Sequence, residues 1–147
     1  MTDDRFDDGL HYCWETRVRF AETDAQGVVF YGEYVTYQDE TFSQFLREIG
    51  FAWEEIEAAD WDVHVVHTDV DYRSFAEFGD ELVCGIRVTA IRESSLDLEW
   101  RCRTPDGTVV AEGHLTHVAV RDGASTRVPD AFREAIVDFQ AVSPEPV

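Results

Sequence analysis

The chain has 147 residues, 44% apolar and 13% aromatic, enough for one hydrophobic core and too apolar for a disordered chain. Thirty-one acidic residues oppose twelve basic ones for a net charge of −19, and every base is Arg. Such a surface repels nucleic acid and anionic membrane, which excludes both as main partners.

In chain order, residues 1–10 are polar and acidic and are expected to fray. Residues 11–22 alternate apolar and polar through Tyr12, Trp14, Thr16, Val18 and Phe20, the pattern of a half-buried strand. Asp24 to Gly27 reads as a turn. From 31 to 49 the period becomes helical, with Tyr34, Tyr37, Gln38, Thr41, Phe42, Phe45, Leu46 and Ile49 on one stripe and Gly50 as the stop. Residues 53–59 suit a short second helix. Strand-like runs follow at 62–73, 81–92, 96–103 and 109–120, with Pro105-Asp106-Gly107 turning between the last two. Pro129 at a helical first position opens a helix over 131–139. The tail after Gln140, with Pro144 and Pro146, is again expected to fray. One amphipathic helix must bury its stripe against one antiparallel sheet, so the fold class is α+β, a single domain over 1–147 with its core at about 11–140.

No apolar run approaches the roughly 18 residues of a membrane span, and no charged-then-apolar leader opens the chain. A cytoplasmic protein is expected. The excess of acid with Arg but no Lys suggests a halophilic cytoplasm, since molar salt shrinks the Debye length to about 3 Å and screens the self-repulsion; an acidic mesophilic protein is the alternative. Cys13, Cys84 and Cys102 are too few for a disulfide framework or a four-Cys zinc site and read as small buried apolar residues. No metal or cofactor is expected.

The chain carries no G-x-S-x-G elbow, Walker loop or dinucleotide glycine fingerprint. His64 with His67, and His114 with His117, fall three apart in strand-like runs, which points each pair to opposite faces and away from a shared metal. What remains is the stretch from Asp24 through Gly27 and Tyr31 to Tyr34, an acid in a turn just before the longest helix. Unpaired N–H groups at a helix start bind anions. An acid beside such a site suits acyl transfer, the acid attacking or activating water while the donors hold the developing charge. A turn Asp that merely caps the helix is the bland alternative.

At these residues the sequence resembles a family. Arg17-Val-Arg-Phe-Ala-Glu-Thr-Asp24-Ala-Gln-Gly27-Val-Val-Phe-Tyr31-Gly-Glu-Tyr34 is similar to the signature of the 4-hydroxybenzoyl-CoA thioesterase-like proteins, the hotdog-fold acyl-CoA thioesterases. The segments 71–82, 92–96 and 106–113 extend the resemblance to roughly residues 13–137. It implies a long central helix wrapped by a curved antiparallel sheet of about five strands, paired into a homodimer or homotetramer with active sites at the subunit interface. It implies hydrolysis of an acyl-CoA to free acid and CoA. Asp24 falls on the catalytic carboxylate, general base or nucleophile. Tyr31 falls on the residue whose backbone N–H polarises the thioester carbonyl, and Gly27 on the glycine that permits close approach. Asp39 falls on a helical acid that contacts the acyl end in some members. Many members carry His at the Tyr31 position and Pro where Ser74-Phe75 stand. Tyr34, with Tyr37, lines an acyl channel or is plain core; Arg92, at the start of the segment holding Ser95, pairs a CoA phosphate or is a solvated rim residue. His64 and His67 are candidates to reach a neighbouring subunit's site. The competing functions are a non-catalytic acyl-CoA binder and a hotdog hydratase or dehydratase; the latter usually pairs a His with its acid, and none lies near Asp24.

Overall fold

The computed structural model describes residues 9–147. Fraying of residues 1–8 was expected and lies outside the described residues, but Leu10 next to them is fully buried. Strand β1 (His11–Arg17) leads through a 3-10 turn at Phe20–Glu22 into helix α1 (Glu33–Glu48) and short helix α2 (Trp53–Ala58). Strands β2 (Asp62–Tyr72), β3 (Glu81–Ile91), β4 (Ser95–Arg103) and β5 (Val109–Arg121) follow, then a two-residue strand β6 (Ala124–Ser125) and helix α3 (Asp130–Phe139). The five long strands form one antiparallel sheet in the order β1-β3-β4-β5-β2, with β6 added to β5.

Period-2 alternation decides which face is inner. Leu82, Cys84, Ile86 and Val88 of β3 and Leu96, Leu98, Trp100 and Cys102 of β4 are all buried, and the 16-residue α1 lays Tyr34, Tyr37, Phe42, Phe45 and Leu46 among them. Each such large apolar side chain contributes roughly 1.5–3 kcal/mol on burial. Trp100 anchors the contact, its indole N–H donating to Thr41 Oγ1 at 3.1 Å. Register slips at Cys13 in β1, Val66 in β2, Thr89 in β3 and Val110 in β5 mark bulges, and bulges bend and twist a sheet, so this one curls. Helix α3 closes one end with Phe132 against Phe51 and Trp61. The Arg133 guanidinium donates to the carbonyls of Val128, Arg92 and Glu93.

The first strand is shorter than expected, because after Arg17 the chain leaves the sheet and tightens into the 3-10 turn. Pro129 is the cap of α3 rather than its first residue. The tail does not fray. β1 pairs β3 only as far as Ile86, which leaves the edge beyond it open. The Gln140 side chain takes the N–H and C=O of Val88, the Glu145 N–H donates to Thr89 O, and the Ile91 N–H donates to Pro146 O. The tail thus covers that edge. No described helix is long and apolar enough to cross a membrane.

Candidate active site

The loop before α1 is built by its own hydrogen bonds. The Asp24 N–H donates to Val28 O and the Gly27 N–H to Asp24 O, both at 2.9 Å, closing a tight turn that Thr23 and Val29 bridge. Gly27 takes φ +81°, a left-handed conformation that side chains rarely adopt, and no atom lies within 4 Å of where its Cβ would sit. Glycine therefore stands here for the turn, not for lack of space. The turn is tied to its surroundings by Val29 N–H to Ala76 O and Phe30 N–H to Glu22 O. Glu22 is itself buried. Burial raises its carboxyl, but hydrogen bonds from the Arg19 backbone and guanidinium more than offset this and hold it below the ordinary range.

Asp24 is half-buried, and one carboxylate oxygen accepts the Gln26 N–H at 2.8 Å. It therefore caps its own turn and not the helix, which leaves the second oxygen for chemistry. Helix α1 starts after Gly32, which has no side chain to cap it. Among the described residues the Tyr31 N–H has no acceptor. In the first turn the Glu33 and Val35 N–H groups donate to Phe30 O and Gly32 O, so the Tyr31 N–H just before the helix is the donor this start leaves available. Asp24, Tyr31 and Tyr34 share one cavity of about 250 Å³, whose far wall is Tyr72, Ser74 and Phe75. The Tyr72 hydroxyl donates to the Tyr31 carbonyl at 3.1 Å, and its ring packs on Tyr34 with centroids 5.6 Å apart. Burial pushes the Tyr34 hydroxyl well above its usual value, so it stays protonated.

The other expected site residues stand elsewhere in the chain. Asp39 is exposed on α1 and does not line this cavity. Arg92 and Ser95 meet in the β3–β4 hairpin, the Arg92 N–H donating to Ser95 O at 2.8 Å, and the Arg92 guanidinium is ion-paired with Asp97. Tyr37 is fully buried core. Tyr72, in the segment 71–82 that carries part of the resemblance, joins the site without a role read from the sequence; its signal is an aromatic two residues before Ser74-Phe75.

His64 and His67 do not point to opposite faces. The bulge at Val66 adds a residue between His64, opposite Val118, and His67, opposite Thr116, so both face the same, outer side. His67 and His114 each hold one oxygen of Asp69, at 3.1 and 3.2 Å. His114 and His117 do point to opposite faces: His114 is exposed, while His117 is buried and stacked on Phe42 at 4.1 Å. Cys84 and Cys102 are buried, opposite each other on β3 and β4. Cys13 is only half-buried, and burial followed by the nearby Glu48 carboxylate pushes its thiol up to about 12, which removes it as a nucleophile near neutral pH.

A curled five-stranded antiparallel sheet, with α1 on its inner face and a cavity lined by Asp24, Tyr31 and Tyr34 at the helix start, defines a hotdog-fold domain. The chain belongs to the thioesterase-like superfamily, whose family model matches residues 18–136. It is similar to the acyl-CoA thioester hydrolase YbgC of Escherichia coli, 28% identical over 109 residues that cover 74% of this chain and 81% of that protein. It is similar to the 1,4-dihydroxy-2-naphthoyl-CoA hydrolase of Prochlorococcus marinus, 29% identical over 116 residues, 74% of either chain. A solved thioesterase from Thermus thermophilus, complexed with coenzyme A and Zn, superposes with a TM-score of 0.74 at 26% identity, covering 86% of this chain and 93% of that one.

Proposed function

We propose that the protein is an acyl-CoA thioesterase, hydrolysing an acyl-CoA to the free acid and CoA. The observation that carries this is that Asp24, whose carboxylate accepts the Gln26 N–H, and Tyr31, whose N–H has no acceptor among the described residues, line one aromatic-walled cavity. With Asp24 as general base, it takes a proton from water, the hydroxyl attacks the thioester carbon, and the Tyr31 N–H holds the oxyanion. Collapse breaks the C–S bond, and the proton returns to the CoA sulfur. With Asp24 as nucleophile, its oxygen attacks instead, the thiolate leaves, and water opens the mixed anhydride. One oxyanion donor is worth about 2.7–4 kcal/mol in the transition state. Gly27 sets the turn that presents Asp24. Membership in the superfamily and the hydrolase names of the relatives support the same reading.

The acting species is a homodimer or larger. A cavity of about 250 Å³ is smaller than the roughly 300–1,000 Å³ of complete small-molecule sites, and its rim carries exposed Tyr31 and Phe75. Among the described residues strand β2 is a long sheet edge with no second neighbour and with exposed Val65 and Val66, the kind of edge that takes a second strand. Pairing there wraps a continuous sheet around α1 as the central helix, and the resemblance implies a substrate shared between protomers, with Tyr34 already in the cavity and Asp39, Arg92 and Ser95 as the further candidates to touch it. Thiol release from a panel of short, long and aromatic acyl-CoAs tests the activity; turnover of none, by folded protein, overturns it in favour of a binding protein. Light scattering tests the assembly, and an active species of 16.8 kDa refutes the shared site.

A further inference from the structure

At the end of α1 opposite the cavity, three side chains that the proposed hydrolysis does not use converge. His11 and Cys13 come from β1, and Glu48 from the last turn of α1. The Cys13 bulge is what brings the strand's side chains in: the register slips between Tyr12 and Trp14, so Cys13 leaves the ladder and its thiol donates to the Thr41 carbonyl at 3.5 Å. Thr41 and Glu48 lie seven residues apart, two turns along one face of α1. His11 Nε2 is 3.0 Å from Glu48 Oε2, and the donor atoms of all three residues lie within 4.8 Å of one another.

We infer that His11, Cys13 and Glu48 form a binding site for a zinc-like divalent transition ion. An imidazole, a thiol and a carboxylate are the mixed N, S and O donors that such ions take, with one position left for water. Tetrahedral bonds of about 2.0–2.3 Å set donors about 3.3–3.6 Å apart. The observed spacings of 3.0 Å and up to 4.8 Å need shifts of only about 1 Å to match. His11 is held edge-on by Phe139 at 4.9 Å, which fixes its ring. The Glu48 side chain is 31% exposed, giving the ion an entry path and its water a place. Binding displaces the Cys13 thiol proton to solvent, and the resulting thiolate and the Glu48 carboxylate together balance a divalent charge. No sequence motif announces the site, because its third donor is 35 residues from Cys13 and the spacing of the first two is common in strands.

The role is structural. Between Glu33 and Glu48 a helix rises about 22 Å, so the ion sits far from Asp24. It clamps edge strand β1 to the end of α1, where β1 otherwise has β3 as its sheet neighbour on one side.

The test uses full-length protein stripped with a chelator and titrated with Co²⁺ and then Zn²⁺. The expected result is a thiolate-to-cobalt charge-transfer band that saturates at one ion per chain and is displaced by zinc. Zinc at a hundredfold over its Kd should raise Tm by about 5–10 °C, with thioester hydrolysis unchanged. C13S should abolish the band and E48Q weaken binding at least tenfold, while C84A should keep both. Because Glu48 is partly exposed, E48Q keeps the test decisive if C13S does not fold. A missing band, a band that survives C13S, or the same zinc response in wild type and E48Q assigns the metal to scattered surface carboxylates and overturns the site.

Discussion

His117 makes the fold sensitive to acid in a way that can be isolated. Its ring is 4% exposed, stacks on Phe42, and neither ring nitrogen has a hydrogen-bond partner among the described residues. Burial, followed by the charge of His64, lowers it from 6.5 to about 4. The folded state therefore holds the neutral ring, and the unfolded chain takes up the proton first. Above pH 6.5 this carries no penalty. Stability is lost as pH falls from 6.5 through about 4, and the loss levels off below that. The gap between the two values, at about 1.36 kcal/mol per tenfold, is on the order of 3 kcal/mol, of which about 2 kcal/mol is gone by pH 5. His117→Phe keeps a ring on Phe42 and removes the titration. Urea unfolding of wild type and variant at pH 7.5 and pH 5 reads the difference. The wild type should lose about 2 kcal/mol more than the variant over that interval. Equal losses would refute a buried neutral His117.

Other substitutions probe the sheet, the site and the charge. Gly113→Ala places a Cβ 1.9 Å from the Asp69 carbonyl oxygen, so β5 and β2 must separate; thermal unfolding should show a loss of about 3 kcal/mol or more. Tyr72→Phe removes the hydroxyl that holds the Tyr31 carbonyl, and kcat/KM should fall about fivefold, the worth of roughly 1 kcal/mol, while Tm stays close to wild type. A fall in Tm of about 3 °C or more, the worth of roughly 1 kcal/mol, with kcat/KM unchanged would make Tyr72 a packing residue. With a net charge of −19, Tm should climb steeply as KCl rises from about 0.1 M to 1 M, over which the Debye length shrinks from about 10 Å to about 3 Å; a flat curve would refute the halophilic reading.

Much of this architecture is legible in residue spacing. The stripe from Tyr34 to Leu46 and the alternation in β4 are strong periodic signals, and both elements lie where those patterns place them. The Asp24–Gly27 turn is legible because its glycine has a physical reason to be there. Long-range partners are not. The docking of the tail on Val88–Ile91 depends on where β1 stops, which no local pattern encodes. The bulges at Cys13 and Val66 reverse the faces that strict alternation assigns, which is why His64 and His67 share a side. Within the cavity, Asp24 and Tyr31 are neighbours in sequence, whereas Tyr72 and Phe75 arrive from the far edge strand and the loop after it, and only the folded sheet joins them.

In the proposed hydrolysis Asp24 is the general base or nucleophile. The rate of thiol release from the best acyl-CoA of the panel, by wild type and by Asp24→Asn, tests this, with circular dichroism and Tm showing that both are folded. Loss of a general base or nucleophile should lower kcat by about 10²-fold or more with Tm little changed. A folded Asp24→Asn enzyme that hydrolyses within a few-fold of wild type would contradict the account.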